Sequence, residues 1–205
     1  NQGGLDLLSG GLDEAGIPLD DDDLAEQLLL LLFAGYETTA SSLSCLFRAL
    51  LLNPEVERWL RDGLASEAAS ARLDATVLEV MRLTPPVGGF FRRSLAPIEL
   101  AGVAVPEGSV IQVVLSPTSA GDDEDLAAFR PQRHLDGSFK QTLLPFGGGE
   151  RVCLGKALAE LEIRLMAMGL LQTVELQLQP DQDLALQLIP SPTPKDGLLV
   201  QATAR

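Results

Sequence analysis

Cys153 lies in the run Phe146-Gly147-Gly148-Gly149-Glu150-Arg151-Val152-Cys153-Leu154-Gly155, and the residue types in that run suit a soft metal ligand. Three consecutive glycines let the backbone turn tightly and approach a flat ligand closely. An apolar helical pattern begins at Leu154. Cys153 therefore stands at a helix start, where the positive end of the dipole favours a thiolate. Arg151 adds a positive charge able to pair with a carboxylate. A thiolate held in a tight loop is a good ligand for iron. Other glycine-rich motifs fail on spacing. A phosphate loop needs Gly at 150 and Ser or Thr at 157, where Glu150 and Ala157 stand. A dinucleotide fingerprint from Gly147 needs Gly at 152, which is Val152. The other cysteine, Cys45, sits mid-helix among apolar neighbours and reads as a buried core thiol.

Three further segments carry chemistry. In Ala34-Gly35-Tyr36-Glu37-Thr38-Thr39 an acid and a hydroxyl interrupt an apolar helix. Such groups are costly there unless paired or wet. The plain alternative is a Thr38 hydroxyl bonded back to its own helix, with Glu37 facing solvent. Glu79-Val80-Met81-Arg82 puts opposite charges three residues apart, on one helix face. Alone, that spacing also fits an ordinary surface ion pair. Pro85-Pro86-Val87-Gly88-Gly89-Phe90-Phe91-Arg92 ends in an arginine on an extended segment, with Arg93 beside it.

Composition removes several classes. The chain has 205 residues and a formal charge of −14. That is the wrong sign for a nucleic-acid binder or for adsorption on anionic membranes. Two cysteines make no disulfide framework, and a single histidine, His134, argues against the usual His-rich zinc site. No G-x-S-x-G elbow is present. Asn1 to Gly16 lacks the basic start and apolar stretch of a signal peptide. The greasiest run, Leu28 to Ala34, falls short of the roughly 20 residues a transmembrane helix needs. A soluble, cytoplasmic protein without a transmembrane segment is expected.

The elements that must position these residues can be read coarsely. Residues 1–18 are expected to be a loop or linker, and 19–205 one domain. Leu24 to Leu52 should be a long helix, apolar almost all round and so running through the core. Asn53-Pro54 ends it and starts a helix over Glu55 to Leu64. A third helix, Leu73 to Leu83, stops at Thr84-Pro85-Pro86. Short strands are expected at Ile98 to Leu100, Val103 to Val105 and Val110 to Leu115. Pro117 to Pro145 reads as largely irregular. A helix over Leu154 to Leu171 follows, then strands at Val174 to Leu178, Leu184 to Leu188 and Leu198 to Ala202. The fold class is mainly α with small β-sheets (α+β).

The run F-x-x-G-x-R-x-C-x-G, carried by Phe146, Gly149, Arg151, Cys153 and Gly155, resembles the haem-thiolate signature of the cytochrome P-450 family. The three other segments match that family's motifs in order and approximate spacing. The likeness covers Leu19 onward but only the C-terminal half of a typical member. Its wording is similar to the branch that hydroxylates retinoic acid, including cyanobacterial relatives. The resemblance implies the C-terminal portion of that fold: a long central helix, the cysteine loop and the helix after it. It implies haem b with Cys153 as axial thiolate, O2 as co-substrate, and NAD(P)H used only indirectly. Ala34 and Gly35 would leave room at the haem face, Glu37 and Thr38 would deliver protons, and Arg92 would meet a haem propionate. Glu79, Arg82 and Arg133 would form a buried structural cluster. The family usually has Glu and an aromatic where this chain has Gln132 and His134, so His134 is expected to be structural. The implied activity is a monooxygenase acting on a lipophilic retinoid-, sterol- or fatty-acid-like substrate. Electrons would come from a separate ferredoxin or flavoprotein reductase. Between 130 and 164 six basic residues (Arg130, Arg133, Lys140, Arg151, Lys156, Arg164) face four acidic ones, a local excess suited to an acidic partner. The rival activities are a peroxygenase or isomerase, or a haem-binding portion without catalysis.

Overall fold

The computed structural model describes residues 4–115 and 124–205. By its contacts the chain divides into Asn1–Glu37 and Thr38–Arg205. In the first unit, α1 spans Gly4–Ser9, and a single antiparallel bridge joins Leu12 to Pro18. The region expected to be irregular thus holds a short helix. The long helix α2 spans Asp21–Leu52, beginning three residues before the expected Leu24. Its start is fixed by a reciprocal cap. Asp23 N–H donates to Asp20 Oδ1 at 2.9 Å, and Asp20 N–H donates to Asp23 Oδ2 at 3.4 Å.

In the second unit, α3 (Pro54–Gly63) has proline in its first turn, where the missing N–H costs nothing. The helix α4 (Ala69–Leu83) begins four residues earlier than expected. Two hairpin-like pairs follow. Strand β1 (Gly89–Arg93) pairs antiparallel with β4 (Val110–Val114), setting Phe90 opposite Val113 and Arg92 opposite Ile111. Between them, β2 (Ile98–Leu100) pairs with β3 (Val103–Val105). Residues 117–123 of the stretch expected to be irregular lie outside the described residues. The rest holds only a short helix α5 (Glu124–Ala127) and a 3-10 turn over Pro131–His134.

Helix α6 spans Lys156–Thr173 and runs into β5 (Val174–Leu178), which pairs with β8 (Val200–Ala204). The last strand lies two residues beyond its expected place. The expected Leu184–Leu188 strand shrinks to β6 (Leu186–Gln187), paired with an unexpected β7 (Thr193–Pro194). Pro194, which has no backbone N–H to donate, can occupy β7 because the pair is only two residues long.

The core lies among α3, α4, α6 and the second half of α2. Leu46, Leu50, Leu60, Leu73, Ile163 and Leu171 are its largest fully buried apolar side chains. Cys45 belongs to the same cluster, and burial pushes its thiol pKa up. Ser41 Oγ–H donates to Pro192 O at 2.6 Å, and Arg48 Nε–H donates to Leu184 O at 2.6 Å. These bonds fasten that half of α2 to the loops around β6 and β7.

The first half of α2 behaves differently from expectation. Leu29 to Phe33 and Tyr36 are exposed. An apolar pattern reports what a helix could bury, whereas exposure depends on what covers it. By length and composition α2 is also long and apolar enough to cross a membrane, which the short run Leu28–Ala34 did not indicate. A core helix passes the same test, and the second half of α2 is core.

Candidate functional site

Glu79 is densely hydrogen-bonded. It is fully buried on α4, and its carboxylate accepts hydrogen bonds from four residues. Arg82, one helical turn on, donates Nε–H to Oε2 at 2.8 Å and Nη2–H to Oε1 at 3.0 Å. Arg133 donates Nε–H to Oε1 at 3.0 Å, and the Arg130 backbone N–H reaches the same oxygen at 3.0 Å. His134 Nε2 lies 2.7 Å from Oε2. Arg133 extends the network, donating Nη1–H to Asp125 Oδ2 at 3.0 Å and Nη2–H to Ala128 O at 3.1 Å. Arg82 Nη2–H also reaches Leu126 O at 2.7 Å. The structure thus brings Glu79, Arg82 and Arg133 together in the dry interior, and α4 anchors the irregular stretch after α5. His134 joins them as a hydrogen-bond partner, and among the described residues there is no group of metal-ligating side chains around it.

Burial alone would raise the Glu79 pKa. Hydrogen bonds from His134 and Arg82, then from the Arg130 backbone, outweigh it and push the value down to about 2 from 4.5. A carboxylate whose folded pKa is depressed contributes stability that is fully present above the unfolded value, and that is lost as pH falls through the folded one. Unfolding free energy should therefore hold above pH 4.5 and drop by about 3 kcal/mol as pH falls toward 2. Urea melts at stepped pH, followed by fluorescence of the single tryptophan Trp59, measure it; a flat profile over this window contradicts the network.

The cysteine loop grows from this support. Leu143, Leu144 and Pro145 share a small cavity with Met81, Arg82 and Pro85, so the lead-in to the loop faces the α4 end that carries Arg82. Phe146 packs against the core. Gly147 N–H donates to Leu144 O, and Cys153 N–H donates to Phe146 O, both at 2.9 Å. Gly147 and Gly149 take φ of +70° and +66°, the left-handed region where a side chain is strained. The chain makes a 3-10 turn over Gly149–Arg151 before α6 begins. Lys156 Nζ stands 5.8 Å above the Phe146 ring.

This loop presents Cys153 as an exposed thiol, whereas Cys45 is buried. Its neighbours Val152 and Leu154 are exposed too, Leu154 at 89%. Exposed apolar side chains around an exposed soft donor suit a flat apolar ligand that takes a sulfur to its metal. The residues present therefore fit a haem held by Cys153.

The other expected site residues are less engaged with one another. Arg92 turns onto its own strand: its guanidinium sits 4.3 Å over Phe90, and Nη1–H donates to Phe91 O at 2.9 Å. Arg93 is exposed. Ala34 and Gly35 are exposed, and a Cβ added at Gly35 meets nothing within 4 Å. Glu37 is half-buried in the first unit. In the second, Thr38 is half-buried and its carbonyl accepts from Ser42 Oγ at 2.9 Å. The basic excess is partly consumed internally: Arg133 is buried, Arg130 pairs with Asp125 and Arg164 with Asp74.

Comparison with known proteins agrees with this geometry. A family model for cytochrome P-450 matches residues 4–202. The chain is 37% identical to cytochrome P-450 120 of the cyanobacterium Synechocystis sp., over 96% of this chain and 48% of that protein. It is 33% identical to human cytochrome P-450 26B1, over 96% of this chain and 44% of that one. The solved structure of retinoic acid bound cyanobacterial CYP120A1 superposes with a TM-score of 0.86 at 35% identity, covering 98% of this chain and 50% of that one. The chain spans about half the length of these relatives. With the cysteine signature, the buried glutamate–arginine cluster and this likeness taken together, the chain belongs to the cytochrome P-450 family.

Proposed function

We propose that this chain is the haem-binding portion of a haem-thiolate monooxygenase that oxidises a lipophilic substrate. The exposed Cys153 thiol, on a loop braced by the buried Glu79 cluster, carries the reading. When bound, the haem supplies dioxygen activation and oxygen insertion into a C–H bond.

The chain's own residues hold and prepare that site. Cys153 provides the sulfur ligand, and its backbone bond to Phe146 O holds the main chain from which the sulfur projects. Phe146 closes the apolar side of the loop. Gly149 and Gly155 keep the loop close to the macrocycle, while Arg151 and Arg92 offer positive charge to its propionates. For Arg92 that means leaving the Phe90 ring. Thr38, with Glu37, relays protons from solvent along α2, next to the space left by Ala34 and Gly35.

Electrons come from a ferredoxin or flavoprotein reductase, with NAD(P)H as the distant donor. A retinoid is the favoured lipophilic substrate, because the matched cyanobacterial structure is retinoic acid bound. The test is to add haem to the chain, reduce it, admit carbon monoxide and record the Soret band. A far-red-shifted band is expected; a band at the ordinary haem–CO position overturns thiolate ligation by this chain.

A further inference from the structure

We infer that His134 is a positioning residue for the cysteine loop: its Nε2–H pins the buried Glu79 carboxylate, and that contact steadies the segment leading into Phe146. The inference concerns the chain without haem and stands apart from the proposed activity.

The two carboxylate oxygens of Glu79 are served unequally. Oε1 accepts from Arg82, Arg133 and the Arg130 backbone, each at 3.0 Å. Oε2 accepts only from Arg82 Nε at 2.8 Å and His134 Nε2 at 2.7 Å. Glu79 is fully buried, so its donors are the protein groups around it. Beside two guanidinium groups it is ionised, and an ionised carboxylate only accepts. His134 must therefore carry its proton on Nε2. A phenylalanine ring at this position would leave Oε2 with Arg82 alone.

The ring is held to this task. The His134 side chain is 6% exposed, and it meets Phe139 edge to face, with centroids 5.2 Å apart. Phe139 N–H bonds Arg133 O at 3.3 Å, and the Arg82 guanidinium lies 5.7 Å over the same ring. Arg82 in turn lines the cavity shared with Leu143, Leu144 and Pro145. Leu144 O then receives Gly147 N–H, and Phe146 O receives Cys153 N–H. The imidazole is thus linked through Phe139 and Arg82 to the wall of a cavity that residues 143–145 also line, and from Leu144 backbone bonds lead on to the amide of Cys153.

His134 is the only histidine, which makes the test direct. Nitrogen-15 spectra of the histidine-labelled chain should show a proton on Nε2; a ring protonated on Nδ1 alone overturns the inference. His134→Phe keeps the ring and removes the donor, while His134→Gln restores an N–H. Amide exchange at Gly147 and Cys153 should quicken about tenfold in the phenylalanine variant, with core amides of α3 and α6 unchanged. The glutamine variant should recover most of that protection. Unchanged protection in His134→Phe, or a glutamine variant no better than phenylalanine, overturns the inference. If the phenylalanine variant does not fold, the tautomer of the unaltered chain decides.

Discussion

Glu79→Gln should cost about 3–5 kcal/mol of stability, among the largest effects of any single substitution in the chain. The replacement keeps the shape and removes the charge. Arg82 and Arg133 then remain buried, 6% and 2% exposed, with no carboxylate between them. Asp125 still faces Arg133 and Arg130, but half in solvent, where a charge pair is worth little. The new amide fits poorly, because its NH2 must point at a guanidinium or the Arg130 amide, which are donors, or at the His134 ring, which accepts only after moving its proton to Nδ1. Urea unfolding followed by Trp59 fluorescence gives the number. Coupling supplies the second check. Arg133→Gln should also be costly, yet the double variant should lose less than the two losses added, since one of the two orphaned charges has gone and only Arg82 keeps its charge without a carboxylate. Additive losses would mean that the cluster is not the unit the geometry indicates. The variant should also lose the part of the acid dependence between pH 4.5 and 2 that Glu79 contributes.

The Glu79 cluster also shows what the sequence can and cannot reveal. The i,i+3 spacing puts Glu79 and Arg82 on one face, but burial is invisible to spacing, and the same pattern decorates many exposed helices. Arg133 enters only through the family likeness. Nothing local to His134 points at Glu79, which lies 55 residues away in the chain. The Arg130 backbone donor carries no side-chain signal at all. Helices stopped by proline, at Leu52 and Leu83, are legible because proline acts through local sterics. The short α1 and β7 are not, since elements of six and two residues carry too little periodicity. The shape of the cysteine loop is the most legible feature, because left-handed turns are a demand that glycines themselves express. The half-exposed α2 is the least, because covering is a property of tertiary structure.

Legibility at Cys153 makes its substitution the sharpest functional test. Cys153→Ser should abolish the far-red-shifted Soret band of the reduced carbon monoxide complex entirely. Serine keeps nearly the same size, so the loop geometry, the bond from residue 153 N–H to Phe146 O and the left-handed glycines should survive. Only the soft, electron-rich donor is lost, and a hydroxyl does not replace a thiolate toward haem iron. Cys45→Ser is the matched control. That thiol is 3% exposed, and its Sγ reaches Pro192 O at 3.3 Å, so it cannot meet a macrocycle without unpacking the core. The control should lose some stability and keep the band. Thiol labelling provides a readout independent of the spectrum. In the chain alone, Cys153 should react readily and Cys45 slowly, as their exposure dictates. Haem should protect Cys153 and leave Cys45 unaffected. A far-red band that persists in Cys153→Ser would place the ligand elsewhere. Protection of Cys45 instead would move the haem into the α2 core, against every contact that closes that core around Leu46 and Leu50.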